Sequence, residues 1–129
     1  MCYELELTKI NRLKIAKAFR AVPRVDMSLP CVIEGQMGQA FVDDLEQPTI
    51  YHVVIGPFHY FAGTAVTSQA QAVMADFPAY SLLMPSSDGW AVLARQQFGE
   101  ALKTNERHSF SSNSLSADHL NQLLNESSF

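Results

Sequence analysis

Two segments rich in β-branched and aromatic residues, Thr49-Ile50-Tyr51-His52-Val53-Val54-Ile55 and Phe58-His59-Tyr60-Phe61-Ala62, are separated only by Gly56-Pro57. Such residues suit a pleated, half-buried surface, and a two-residue glycine-containing connection is a hairpin turn. The pair therefore predicts an antiparallel hairpin ended by Gly63. A hairpin alone is marginal in water, so the rest of the chain must supply further strands and a covering layer.

Upstream, Pro30-Cys31-Val32-Ile33-Glu34 and Gln39-Ala40-Phe41-Val42 are short apolar runs separated by Gly35-Gln36-Met37-Gly38. Read as a second hairpin, they extend the first into an antiparallel meander of about four strands. Helical segments flank it. Thr8 to Val22 repeats Ile10, Leu13, Ala16 and Phe19 at helical spacing, with Thr8 placed to cap and Pro23 to stop it. Ser68 to Phe77 places Ala70, Val73, Met74 and Phe77 on one face. Tyr80 to Met84 reads as a short strand, and Ser86-Ser87-Asp88 opens a helix running to Leu102, with Gly99 as a weak point inside it. Arg107 to Ser111 reads as a strand. A last helix starts at the cap Ser116 and presents Leu120, Leu123 and Leu124 as a buried face. The expectation is an α+β fold: a mainly antiparallel sheet with about four helices packed on it, a single domain over residues 1–129.

Composition narrows the function classes. A chain of 129 residues with 47% hydrophobic and 17% charged residues has enough apolar material for one core. Its net charge of −4 argues against nucleic-acid binding, which draws its affinity from Lys and Arg on phosphates. The cluster Arg12, Lys14 and Lys17 lies close to Glu4 and Glu6 and reads as a solvated helix face. No basic leader and no apolar run of membrane-spanning length is visible. Cys2 and Cys31 form no CxxC pair and read as thiols of a reducing cytoplasm.

Few side-chain constellations suggest chemistry. His52 and His59 are about equally distant from the Gly56-Pro57 turn, so they are expected to oppose each other across the hairpin. Such a pair holds a metal, shuttles protons, or is simply two partly exposed cross-strand residues. His108 and His119 complete no metal-ligand spacing, and no metal site is expected. Asp43-Asp44-Leu45-Glu46, with Glu34 near it, reads as a turn rather than a cation loop. No GxSxG elbow, Walker loop or GxGxxG loop occurs. Aromatic walls with a few polar groups suit a small-molecule pocket, and His59, Tyr60, Trp90 and Arg107 are the candidates for one. Against that stands the reading of Phe58, Phe61 and Trp90 as plain core.

Four strings, in order, carry a family resemblance: Cys31-Val32-Ile33-Glu34-Gly35-Gln36-Met37-Gly38; Gly56-Pro57-Phe58-His59-Tyr60-Phe61-Ala62-Gly63; Leu83-Met84-Pro85-Ser86 with Gly89-Trp90; and Arg107-His108-Ser109-Phe110-Ser111. Together they resemble the amino-terminal half of a GNAT-like acetyltransferase family that includes proteins similar to an antibiotic-resistance acetyltransferase. The resemblance implies a substrate-side unit whose acetyl-CoA loop and catalytic machinery belong to a second half, so the catalytic residues are unknown. It also implies no cofactor bound by this chain alone, and either a homodimer or a separate GNAT-half partner, with a possible small-molecule ligand. The ending Ser127-Ser128-Phe129, directly after a helix, fits a longer polypeptide. GNAT enzymes cradle the pyrophosphate of acetyl-CoA with [QR]-x-x-G-x-[GA], leaving a strand and opening a helix. Gln96, Gly99 and Ala101 match those letters, but inside a helical pattern and with Glu100 where phosphate would lie.

Overall fold

The computed structural model describes residues 2–21, 28–106, 108 and 112–127. Its centre is the expected hairpin. Strand β3 (Ile50–Ile55) pairs antiparallel with β4 (Phe58–Gly63), with Ile55 opposite Phe58 across the two-residue turn. Strand β2 (Gln39–Val42) pairs antiparallel with β3, and β1 (Tyr3–Leu5) with β2. Strand β5 (Leu82–Pro85) lies parallel to β4 on its other side, giving the order β1-β2-β3-β4-β5. The fold is α+β, with a five-stranded, mostly antiparallel sheet.

The second hairpin expected from residues 30–42 does not form. Residues Ser28–Ile33 are helix α2, burying Leu29 and Val32 one turn apart. A four-residue apolar run fits a buried helix as well as a strand, and Pro30 sits in the first turn, where its missing N–H costs nothing. Gly35 has φ +76, and the N–H of Gln36 donates to the Cys31 carbonyl while that of Gly35 donates to Val32. This is a Schellman cap, so Gly35 ends a helix rather than a strand. The fourth antiparallel strand is β1, whose Leu5 faces the core while Tyr3 and Glu4 are exposed.

Helices cover both faces of the sheet. On one, Ile15 and Phe19 of α1 (Lys9–Ala18) and its C-cap join Leu29 and Val32 over Leu5, Ala40, Val42, Val53, Tyr60 and Ala62. On the other, α3 (Ser68–Ala75) and α4 (Asp88–Phe98) bring Ala70, Val73, Met74, Trp90, Leu93 and Ala94 onto Ile50 and Phe61. Two sequence expectations fail in this packing. Ile10 and Leu13, expected on the inward face of α1, are 69% and 62% exposed. Steps of three residues drift around a helix of 3.6 residues per turn, and the i, i+4 pair Ile15 and Phe19 faces the sheet instead. Likewise Leu120, Leu123 and Leu124 of α5 (Ala117–Glu126) are not a buried face, since α5 buries none of its residues.

Helix α1 stops at Ala18, and the expected stop signal Val22-Pro23 lies outside the described residues. Helix α4 ends at Phe98 with Gly99 as its C-cap, and a 3₁₀ turn, Gly99–Ala101, follows. The strand expected at Arg107 to Ser111 falls on residues of which only His108 is described. Among the described residues, no helix is long and apolar enough to cross a membrane.

Candidate functional site

The face of the sheet under α3 carries a row of rings. Phe41, His52 and Phe61 sit side by side on β2, β3 and β4, since Phe41 pairs with His52 and His52 with Phe61. The His52 and Phe61 rings stack with centroids 4.4 Å apart. His59 pairs with Val54, two positions along β4, so the histidines are diagonal rather than directly opposed. They still meet: His52 Nε2 lies 2.8 Å from His59 Nδ1, a hydrogen bond. Counting outward from Gly56-Pro57 sets Phe61 opposite His52 and Val54 opposite His59, so the histidines are not equidistant from the turn; they meet because same-face diagonal neighbours lie within reach of ring side chains. Phe77, just past α3, meets His59 edge-on at 4.9 Å.

Burial controls the charge of this pair. Desolvation, followed by the neighbouring His59, lowers the pKa of His52 from 6.5 to about 4. His59, buried under Phe77, is lowered by desolvation as well. Both imidazoles are therefore neutral at neutral pH, one donating the shared proton and the other accepting it. Such a pair takes up a proton on one ring and passes the shared proton to the other without separating charge.

His52 also lines a half-open pocket of about 130 Å³ with Cys2, Phe41, Ala72, Val73 and Asp76. Phe41 and Asp76 have no functional reading in the sequence, and Cys2 only that of a free thiol open to modification or reaction. The alternation of Glu4 and Glu6 with Leu5 and Leu7 was the available sign that a strand would carry Cys2 to this face. The Cys2 thiol is pushed above its usual pKa by burial, the Asp43 and Asp76 carboxylates adding to it against the chain's amino terminus. It is thus a poor nucleophile at neutral pH.

The other candidates are spread apart. Tyr60 is buried on the opposite face of the sheet, under α1 and α2. Trp90 is fully buried, stacks on Phe61 at 5.1 Å, and donates from Nε1 to the Gly63 carbonyl at 3.2 Å. His59 and Trp90 thus share a face, with Phe61 between them, and Arg107 lies outside the described residues. The carboxylates of Asp43 and Asp44 hold their own loop. Asp43 accepts from the Thr49 hydroxyl and from the N–H groups of Thr49 and Ile50, and Asp44 from those of Glu46 and Gln47. Burial works to raise the Asp43 pKa, but these hydrogen bonds outweigh it and leave it lowered.

The string Gln96-Gln97-Phe98-Gly99-Glu100-Ala101 occupies the last turn of α4 and the 3₁₀ turn after it. That is the carbonyl end of a helix, where the partial charge is negative. A strand-to-helix context is found elsewhere: from β1 to α1, from β5 to α4 and, through residues 64–67, from β4 to α3. In the last of these Thr67 caps α3 by accepting from the Ala70 N–H, and Gly63, at φ +102, passes so close to Thr49 that a Cβ would lie 2.0 Å from its carbonyl oxygen.

The sequence profile of the GNAT acetyltransferase family matches residues 23–129. This chain belongs to that family. The match takes in four of the five strands and all the helices except α1, so the His52–His59 pair lies within the GNAT-related region. No curated protein and no solved structure matches the chain at a significant level.

Proposed function

We propose that this GNAT-related protein is the substrate-side, amino-terminal unit of an N-acetyltransferase and does not bind acetyl-CoA by itself. One observation carries the reading: the cofactor letters and the cofactor context fall on different segments. The letters Gln96, Gly99 and Ala101 lie at the C-terminal end of α4, where a pyrophosphate would meet carbonyls and Glu100 rather than amides. The strand-to-helix passages, from β1 to α1, from β4 to α3 and from β5 to α4, have the context and lack the letters. Acetyl-CoA therefore comes from a second GNAT half, in the same polypeptide or in a partner, while this unit helps shape the acceptor pocket. The two thiols, Cys2 and Cys31, fit a cytoplasmic setting.

Calorimetry tests this directly. Titration of acetyl-CoA into the isolated chain is expected to give only heats of dilution. Saturable binding with Kd below roughly 100 µM, a free energy near −5.5 kcal/mol, would sink the reading. A neighbouring reading frame that carries [QR]-x-x-G-x-[GA] after a strand would support the two-half arrangement.

A second reading, a stand-alone homodimeric binding or interaction module, is favoured by one feature. The leucines of α5 are uncovered, and apolar faces of that kind drive association.

A further inference from the structure

The pocket beside the histidine pair has one wall that carries negative charge and one that carries rings. Ala72 and Val73, on its helical wall, lie in the last turn of α3, and Asp76 is the C-cap of that helix. The last turn of a helix leaves carbonyls without intrahelical partners, a partial negative charge that Lys, Arg or His favourably offsets. Helix α3 has no basic residue there and sets an aspartate at its C-cap instead. Asp76 is exposed, and among the described residues it is the one charged side chain on the wall. His52 is neutral at neutral pH, and the Cys2 thiol stays protonated. The facing wall is the sheet, where the Phe41 and His52 rings lie 5.8 Å apart between centroids. A carboxylate at the negative end of a helix is unfavourable for folding, and positions that break a local rule in this way mark functional sites.

We propose that this pocket binds a small organic cation, the ammonium end of an alkylamine, with its charge at Asp76 and the α3 carbonyls and its alkyl chain against Phe41 and Val73. The inference rests on the substrate-side reading above and assigns the place where the acceptor's amino end is held. Carboxylate and ring act together here, because a cation over an aromatic face gains from the ring quadrupole. The size agrees. A hollow of about 130 Å³ is close to the roughly 150 Å³ that holds benzene, so it takes about five or six non-hydrogen atoms. Being half-open, it also admits the end of a longer molecule. A metal ion fits less well, since a hard cation wants about six oxygens and no group of three His, Cys, Asp or Glu among the described residues is placed to hold one. Two further charges act at Cys2: the Asp43 carboxylate, which favours a cation, and the chain's own amino terminus, which competes with one.

The probe is n-butylammonium, titrated into the whole chain without acetyl-CoA and followed by amide chemical shifts in two-dimensional NMR. Saturable shifts are expected at Phe41, His52, Val73 and Asp76, with a Kd on the order of 5 mM for so small a ligand. The isosteres n-butanol and butyrate, uncharged and oppositely charged, should bind at least about fivefold more weakly. Asp76→Asn keeps the shape of the C-cap and should weaken n-butylammonium at least about threefold. Ala72→Lys, at an exposed position on the wall, supplies a tethered ammonium and should weaken it at least about tenfold. Acetylation of the amino terminus removes a competing charge and should strengthen binding. Circular dichroism and a thermal melt verify that each variant is folded.

No saturable shift up to about 50 mM, tenfold above that Kd, overturns the site. So does n-butanol binding as tightly as n-butylammonium, which would make the hollow merely apolar. Unchanged affinity in Asp76→Asn, or weaker binding after acetylation of the amino terminus, overturns the placement of the charge. None of these outcomes depends on acetyl-CoA, so a failure here is separable from a failure of the acetyltransferase reading.

Discussion

At the scale of single residues, the most consequential pair is His52 and His59, held neutral by burial and joined by a 2.8 Å hydrogen bond. Their lowered pKa values make folding stability depend on pH. Between pH 6.5 and about 4 the unfolded chain binds more protons at His52 than the folded one does. Stability therefore rises with pH across that window: it is fully present above pH 6.5 and lost as the pH falls toward 4. A shift of this size corresponds to a loss of about 3 kcal/mol from His52 alone. Urea titrations from pH 4 to 7 should show the midpoint climbing, with at least half of the slope removed by His52→Gln. An unchanged slope in that variant would assign the dependence to other groups. The pair is legible in the sequence as two histidines flanking a turn, and so is its register: counted outward from Gly56-Pro57, Ile55 pairs with Phe58 and His52 with Phe61, which places His52 diagonal to His59 and not at the equal distance expected.

Elements were legible where one physical signal dominated. The β3–β4 hairpin follows from a two-residue turn between β-branched and aromatic runs, and α3 from apolar spacing with a clear stop at Pro78. They were illegible where two structures shared one pattern. Pro30 to Glu34 is apolar enough for a strand, and only the Gly35 cap with its paired backbone hydrogen bonds marks it as a helix. Helix α5 is the reverse case: its start at Ser116 is as expected, but the expected burial of Leu120, Leu123 and Leu124 fails, because amphipathicity says that a face wants cover, not that this chain supplies it. The contrast is measurable at the two helix caps. Thr67→Ala removes the hydrogen bond to Ala70 from a helix packed on the core and should cost about 1 kcal/mol. Ser116→Ala removes the matching bond to His119, yet at dilutions where the chain is monomeric it should change global stability by less than about 0.5 kcal/mol. Equal losses in chemical denaturation would mean that α5 is part of the cooperative unit.

For the molecule as a whole, two kinds of strand connection matter most. Strands β1 to β4 are all antiparallel neighbours, and β2 to β4 follow one another through short connections. Strand β5 is different. It runs parallel to β4, so the chain must climb back through α3 before Leu82 can pair beside Phe58. That difference sets an order in time. Loop closure over the crossover has to be completed before the parallel pair returns any contact energy, whereas the β3–β4 hairpin gains contacts from its first turn outward. Val53, buried at the centre of the hairpin, should be largely engaged in the folding transition state, with Val53→Ala giving a φ-value above about 0.5 and slowing folding. Met74, buried on α3, should engage late, so that Met74→Ala mainly speeds unfolding, with a φ-value below about 0.3. The reverse pattern would mean that the crossover nucleates the fold. In the expected order, a chain leaving the ribosome completes its meander first and exposes the face beneath α3 and α4, His52 and His59 included, until the crossover closes. That interval is when the protein is most open to aggregation and to chaperones.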